Sequence, residues 1–434
     1  MSADTFQPTE AGPEDTELVR DMLDMGRRAR AASKAMATRA SEDRTRALSA
    51  MANALRAGSG DILAANVQDL EGAKAKGLSP AMVDRLTLDA GRLEAIANSV
   101  DAIAALPDPI GRQLARWTVP SGLDIARVAC PLGVIGIIYE SRPNVTADAA
   151  ALCIRSGNAT ILRAGSESAA SAQAIAKVLR KALAETGLPE DAVQLVQTTD
   201  RAAVGHILTG LEGALNVVVP RGGKGLVARV QAEARVPVIG HLEGICHVYV
   251  HKAADRSKAP GIVVNAKLRR TGICGAAETL LIDAAYPRED KRALLDALLS
   301  EGCELRGDAA IQSLSPDIRP ATEEDWATEH LAPILSVAEV DGIEGALSHI
   351  ERFGTGHTES ILTEDADVAE RFLNAVDASI VMLNASTQFA DGGEFGLGAE
   401  IGIATGRIHA RGPVGADQLT TVKYVVRGTG QVRP

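Results

Sequence analysis

The sequence predicts an α/β protein made of a doubly wound parallel sheet, a second α/β domain and a β-arm, on three observations. Between residues 131 and 239 short apolar runs alternate with amphipathic segments of helical period, the pattern of a parallel sheet covered on both faces. The alternation resumes after Cys274, beyond an interruption rich in glycine and cations. Two short alternating runs about Ser121-Gly122, and a third at 419–427, stand apart from both series and read as strands of an arm. A chain of 434 residues exceeds one ordinary core, so two or three domains of about 100–200 residues are expected.

From residue 16 to about 111 apolar residues recur at intervals of three and four: Leu18, Met22 and Leu23; Leu48, Met51 and Leu55; Ile62, Leu63, Val67 and Leu70. This period predicts helices, with a start at Ser41 and stops or turns at Gly58, Gly60 and Gly77. Residues 117–120 and 123–128 predict a hairpin, marginal alone, that needs another part of the chain or another subunit beside it. Strands follow at 134–139, 159–163, 192–196, 215–219 and 236–239, separated by helices at 146–155, 166–185, 201–208 and 224–234. Such sheets bind ligands at the carboxyl ends of their strands. Two loops there are suited to it, Arg163-Ala164-Gly165-Ser166-Glu167-Ser168 and Pro220-Arg221-Gly222-Gly223-Lys224-Gly225. Each sets a cation and glycine at a helix start, where free N–H groups attract phosphate. Neither matches the dinucleotide fingerprint or the P-loop, and each alone reads equally as a glycine turn with a helix cap. Together on one sheet they favour a dinucleotide.

The second series reads as strand 279–282, helices 288–299 and 342–349, strand 360–363, helix 366–373 and strand 379–383. At its head Cys274 lies between Gly272 and Gly275, which let a substrate approach the backbone, and after Lys267, Arg269 and Arg270, whose charge favours thiolate. On that setting Cys274 reads equally as a nucleophile and as a small core residue. The segment 349–361 joins glycine, hydroxyl and imidazole in a loop able to bind an anion. His349 reads as a structural histidine; His357, between Gly356 and Thr358, reads equally as a ligand contact. Residues 389–398 are too rich in glycine for an element interior and predict a loop of special backbone shape.

Composition excludes several classes. Aromatic residues are 3% of the chain, against a base-stacking nucleic-acid binder. The net charge of −11, with no basic block, argues against nucleic acid and anionic membranes. The five cysteines are odd in number, dispersed and free of metal-ligand spacing, which predicts reduced thiols and no metal site. Residues 1–16 are polar, without the apolar core of a signal peptide, and no segment is long and apolar enough to span a bilayer, so a cytoplasmic protein is expected.

The runs at 131–167, 240–250 (GHLEGICHVYV), 273–282 (ICGAAETLLI), 349–361 (HIERFGTGHTESI) and 385–415 resemble the gamma-glutamyl phosphate reductases of the aldehyde dehydrogenase superfamily, a likeness that extends from about residue 18 to 430. The resemblance implies an aldehyde-dehydrogenase-like fold in three parts: an NADP-binding domain at 1–113 and 132–240, a catalytic domain at 241–404, and an oligomerisation arm at 114–131 and 405–434. It implies a homo-oligomer that reduces L-glutamate 5-phosphate to L-glutamate 5-semialdehyde with NADPH, a step of proline biosynthesis. Glutamate 5-kinase, which makes the unstable acyl phosphate, is the candidate partner, although no residue marks a surface for it. The alternative is a non-phosphorylating aldehyde dehydrogenase of another small aldehyde.

The resemblance also implies residue roles. Cys274 carries the acyl group as a thioester, and its own N–H and the Asn144 side chain are the oxyanion donors; Asn144 reads otherwise as a turn residue after Pro143. His241 stands where aldehyde dehydrogenases that hydrolyse their thioester place a glutamate base, which favours phosphorolysis over hydrolysis. Arg163 takes the place of a lysine that holds the adenosine ribose and could meet a 2′-phosphate, and Glu329 resembles the glutamate that holds the nicotinamide ribose. With Gly165, Ser166, Gly222, Gly223 and Lys224 they make up the expected cofactor set; a surface arginine and a surface glutamate are the plainer readings of the two. Ser141, Arg142, His357 and Thr358 lie in loops that could meet the phosphate and α-carboxylate of the substrate. Three residues depart from the family pattern: Gly275 for asparagine, Gln388 for arginine, and Phe353 for histidine or tyrosine. The missing cation at 388 bears on substrate binding.

Overall fold

A computed structural model describes residues 13–433, and the chain divides into two compact units, Met1–Ile239 with Gly415–Pro434, and Gly240–Val414. The polar opening segment, 1–16, lies largely outside the described residues.

The first unit begins with the expected helices: α1 (Pro13–Met36), α2 (Ser41–Ala57), α3 (Ser59–Ala75), α4 (Pro80–Leu86) and α5 (Ala90–Ala105). Gly58 and Gly77 end helices as predicted, but Gly60 lies inside α3. The hairpin is β1 (Gln113–Thr118) and β2 (Asp124–Pro131), antiparallel, and the tail strand β16 (Thr420–Arg427) pairs with the far edge of β2 in the same chain. The arm is thus a three-stranded sheet of order β1-β2-β16.

The strands β3 (Val134–Tyr139), β4 (Ala159–Ala164), β5 (Val193–Leu195) and β6 (Val217–Arg221) form a parallel sheet of order β5-β4-β3-β6. All six residues of β3 are buried, as a central strand covered on both faces requires. The connecting helices are α6 (Asn144–Arg155), α7 (Ala169–Glu185), α8 (Ala202–Leu208) and α9 (Lys224–Glu233). Alanine dominates the buried face of α6 (Ala147, Ala149, Ala150, Ala151), which lets helix and sheet approach closely. Residues 236–239 make only an isolated bridge, Val218 with Val238, rather than a strand. Pro237 has no N–H to add to a ladder.

The second unit is a seven-stranded, wholly parallel sheet of order β10-β9-β11-β8-β7-β12-β13. Its strands are β7 (Cys246–Val250), β8 (Ala277–Asp283), β9 (Glu304–Gly307), β10 (Arg319–Pro320), β11 (Ile334–Val340), β12 (Thr358–Leu362) and β13 (Ile380–Leu383), and a separate antiparallel pair joins β14 (Ile403–Ala404) to β15 (Gly412–Pro413). The helices are α10 (Ala259–Leu268), α11 (Arg288–Ser300), α12 (Ala309–Gln312), α13 (Glu323–Trp326), α14 (Gly342–Phe353) and α15 (Ala366–Ala375). Side chains alternate across the sheet as the two-residue period dictates. Val248, Val250, Leu280 and Ile282 pack with Val263 of α10 and Leu294 and Leu298 of α11. Tyr249, Leu281 and Ile361 pack on the other face with Ala346 and Ile350 of α14 and Phe372 of α15. Among the described residues no helix is long and apolar enough to cross a membrane.

Candidate active site

Three neighbouring strands build the site. In the order β8-β7-β12 their amino ends lie side by side, so the segments entering them converge although they are far apart in sequence. Cys274 precedes β8, His357 precedes β12, and His241 lies in the segment leading to β7. The Cys274 Sγ and one ring nitrogen of each histidine all lie within 4.8 Å of one another. The two imidazoles meet edge to face, with centroids 4.8 Å apart.

Each imidazole is held from behind. His241 Nδ1 is 2.6 Å from the Ile403 carbonyl, which can only accept, so Nδ1 carries a proton and the basic lone pair of the neutral ring is on Nε2. His357 is fully buried; its Nδ1 is met by Thr358 Oγ1 at 2.9 Å and by Cys246 Sγ at 3.5 Å, and its Nε2 has no hydrogen-bond partner.

These surroundings separate Cys274 from the other thiols. Burial pushes up Cys130, Cys153 (to about 12), Cys303 (to about 11) and, well above its usual value, Cys246. Cys274 lies well below the usual thiol value: burial opposes ionisation, but the charges of the neighbouring His357 and His241 imidazoles outweigh it. The positive charge therefore comes from imidazoles and not, as the sequence suggests, from the Lys267-Arg269-Arg270 run. Arg269 and Arg270 are exposed, and Lys267 is spent on a buried ion pair. Cys246, kept as a thiol, donates to the Cys274 carbonyl at 3.1 Å and so supports the turn from below.

The Cys274 turn is bolted at both ends. Lys267 near the end of α10 meets Glu278 on β8 at 2.5 Å with both side chains buried, and Glu278 also accepts the Leu331 N–H. Gln388 is 4% exposed and donates to the Ala266 and Arg270 carbonyls at 2.9 and 3.2 Å. At this position the side chain holds the nucleophile segment instead of offering a charge to substrate. Gly275 lies against the same piece of chain: a Cβ there would sit 3.1 Å from the carbonyl of Thr387, the residue before Gln388. A Cβ on Gly244 would collide with the Cys274 carbonyl, so only glycine lets the two segments lie this close. Glu329 accepts the Gly244 N–H at 3.0 Å, and burial raises its carboxyl above the usual value. Phe353 packs at a tilt against the His349 ring, with centroids 4.7 Å apart, and lies under Arg352.

The structure brings Cys274, His241, His357, Thr358 and Glu329 into the second unit; the other expected site residues belong to the first, at the carboxyl ends of β3, β4 and β6. There the loops differ from a bare phosphate cradle, because carboxylates of the chain already lie in them. Glu140 accepts the Gly223 N–H at 3.0 Å, and Glu167 accepts the Ser141 N–H and hydroxyl at 2.7 and 2.9 Å. Asp69 of α3 takes the Ala170 and Ser171 N–H groups at the start of α7. Added Cβ atoms on Gly165 and Gly222 would strike Glu167 and Glu140, so both glycines make room for these carboxylates. Arg163 is buried, donates to the Thr199 carbonyl at 3.1 Å and keeps an unpartnered Nε. Ser166, Gly222, Gly223 and Lys224 are exposed, and Arg142 is partly buried. Asn144 opens α6 and donates to Asp148 Oδ2 at 3.0 Å. Carboxylates beside the Arg163 guanidinium, whose Nε is unpartnered, suit a ligand with both hydroxyl and phosphate groups, as a dinucleotide has.

Known proteins resemble this chain over nearly its whole length. The model of the aldehyde dehydrogenase family matches residues 16–300 and 319–425. A gamma-glutamyl phosphate reductase from Hyphomonas neptunium is 64% identical over 98% of this chain and 99% of its own, and one from Caulobacter vibrioides is 61% identical over 95% and 100%. The crystal structure of gamma-glutamyl phosphate reductase from Thermotoga maritima superposes with a TM-score of 0.92 at 41% identity, covering 95% of this chain and 100% of that one.

Proposed function

The chain belongs to the aldehyde dehydrogenase family, in its gamma-glutamyl phosphate reductase branch, and from that premise we propose that it reduces L-glutamate 5-phosphate to L-glutamate 5-semialdehyde and phosphate, with NADPH, in cytoplasmic proline biosynthesis. One observation carries the reading: of five cysteines, four are pushed up by burial and the fifth, at the head of β8 between two imidazoles, is pulled down.

Cys274 hands its proton to the imidazole pair and attacks the acyl phosphate as thiolate, forming the S–C bond as the C–O bond to phosphate breaks. Phosphate is a good leaving group, so acylation needs no strong acid. The developing oxyanion takes hydrogen bonds from the Cys274 N–H and, by resemblance, from Asn144, each donor typically contributing about 3–4 kcal/mol. Arg163, Gly165, Ser166, Gly222, Gly223, Lys224 and Glu329 would hold NADPH, which when bound would supply the hydride. The thiohemiacetal then collapses to aldehyde and expels Cys274 as thiolate, the form the imidazoles favour. No carboxylate base stands at 241, and an imidazole engaged with the nucleophile suits exchange with phosphate better than attack by water. Ser141, Arg142, His357 and Thr358 remain the proposed substrate contacts, with His357 and Thr358 acting through the position of the thiolate. The exposed Tyr424 and Val426 on β16 support a homo-oligomer formed through the arm. Glutamate 5-kinase is the proposed neighbour in the pathway.

The test follows nicotinamide absorbance in the reverse direction with glutamate semialdehyde, phosphate and each dinucleotide in turn. Oxidation that depends on phosphate or arsenate and prefers NADP+ is expected. Equal rates without either anion would mean a non-phosphorylating aldehyde dehydrogenase. Folded Cys274→Ala protein with full activity would exclude the thioester.

A further inference from the structure

The group His241, Cys274 and His357 has a property that acyl transfer does not use. It presents one sulfur and two imidazole nitrogens to a common point, a donor set suited to a borderline-soft cation and poorly suited to Mg2+ or Ca2+. The three residues are 33 and 83 positions apart, so no sequence motif announces them.

We propose that these three side chains form a binding site for Zn2+, which caps the nucleophile and holds it away from the acyl substrate.

Three features of the structure support the site. The ligand atoms lie within 4.8 Å of one another, whereas Zn–S of about 2.3 Å and Zn–N of about 2.0–2.1 Å in a tetrahedron place them about 3.4–3.6 Å apart. Each separation has at most about 1.4 Å to close, within reach of side-chain rotations at the three residues. Both imidazoles already have the outer support that zinc-binding histidines use: the Ile403 carbonyl on His241 Nδ1 and the Thr358 hydroxyl on His357 Nδ1. Finally, His357 is wholly buried with Nε2 lacking a partner, an unmet polar atom that a metal ligand bond would satisfy. Three protein ligands leave a fourth position for water, as in an open zinc site. The charge balance is simple: Zn2+ takes the thiolate and two neutral imidazoles, and the proton shared between thiol and imidazole leaves to buffer.

The site stands on these side chains whatever substrate the enzyme takes, so it is tested by binding and not by turnover. Reduced, metal-stripped full-length protein is titrated with Zn2+ by calorimetry in two buffers of different ionisation enthalpy, and with Co2+ followed by absorbance. One ion per chain is expected, with proton release, a thiolate-to-cobalt charge-transfer band, and protection of Cys274 from iodoacetamide that Mg2+ does not give. Removing an outer partner of a zinc ligand typically costs about 10- to 100-fold in affinity, so Cys274→Ser and His241→Asn should each weaken Zn2+ by more than that. His241→Asn guards against misfolding of a variant at the fully buried His357. Unchanged affinity in both variants, absence of the charge-transfer band, or alkylation at an undiminished rate with Zn2+ bound would each overturn the proposal.

Discussion

The Lys267–Glu278 pair offers the sharpest test of how the nucleophile turn is held. Its charged atoms are 2.5 Å apart and both side chains are essentially inaccessible, at 0% and 1%. At an effective dielectric of about 20 such charges attract by roughly 7 kcal/mol. Burial nevertheless pushes the Glu278 carboxyl from 4.5 to about 7, with Lys267 only partly opposing it. Ionising Glu278 in place therefore costs about 3 kcal/mol more than in the unfolded chain. The folded state holds this proton more firmly than the unfolded one, so the stability it contributes is complete below pH 4.5 and is lost as pH rises through about 7. Lys267→Met leaves the carboxylate alone and should cost about 3–5 kcal/mol at pH 8. At pH 5, where Glu278 is neutral in the folded state, the loss should shrink to about 1 kcal/mol, the value of one hydrogen bond. The double variant Lys267→Met/Glu278→Gln keeps an acceptor for Leu331 and no charge, and should return to within about 1 kcal/mol of the parent at both pH values. The chain has two tryptophans, Trp117 on the arm and Trp326 in the second unit, so a Trp117→Phe background makes fluorescence report on Gly240–Val414 alone. With an m-value of about 2 kcal/mol per molar urea, the single variant should lose about 2 M in midpoint at pH 8 and under about 1 M at pH 5. An equal loss at both pH values, or a double variant as weak as the single, would refute the account.

Further outcomes follow from neighbouring contacts. Gly244→Ala puts a methyl group into the Cys274 carbonyl, and displacing a nucleophile by about 1 Å typically costs about 100-fold, so kcat should fall by that order with circular dichroism unchanged. Gln388→Leu strips two carbonyls of their donor and should lower stability by about 1–3 kcal/mol and reduce kcat at nearly constant KM; a raised KM with intact stability would return residue 388 to the substrate. Burial, with His247 and Arg352 nearby, pushes His349 down to about 3. Its contribution to stability is complete above pH 6.5 and is lost as pH falls towards 3, so His349→Leu should flatten that limb in urea titrations read at Trp326, which touches the ring.

Much of the first unit was legible because buried parallel strands are near-continuous apolar runs: residues 134–139 and 159–163 needed no context. Strands β7 and β11 were missed for the converse reason. His247 interrupts the first, Ser336 and Glu339 the second, and each polar group is made tolerable by a partner outside its own strand: Glu359 for His247, His330 for Ser336 and Lys291 for Glu339. Helix α10 was hidden behind Pro260-Gly261, although proline is acceptable in a first turn. Cys274 and His357 stood out as loop residues among glycines, but their encounter did not, since it depends on β7 lying between β8 and β12. Strand order is a tertiary choice with no local signal. The same holds for the carboxylates in the nucleotide loops: Glu140 and Glu167 were in view, yet nothing in their spacing said that each would occupy an N–H group of a neighbouring loop.

Placing the nucleophile at the amino ends of the strands has an electrostatic consequence. Cys274 lies six residues beyond the carboxyl end of α10 and at no helix amino end, so no helix dipole assists its ionisation. A thiol at a helix amino end gains acidity from the backbone; here side chains must supply it, and two imidazoles do so. An imidazole differs from a fixed cation in that it can take the thiol proton and return it, so the charge that stabilises the thiolate is created only when the thiolate is. Arginine in the same place would remain charged beside the neutral thioester and would compete for the anionic substrate. The buried Cys246 shows the other limit: it lies within reach of the same His357, but Glu359 and the low dielectric around it keep its proton on sulfur, where it supports the Cys274 carbonyl. Two thiols within one cluster thus divide into a reactive and a structural one according to which charges face each, and the division needs no difference in their covalent chemistry.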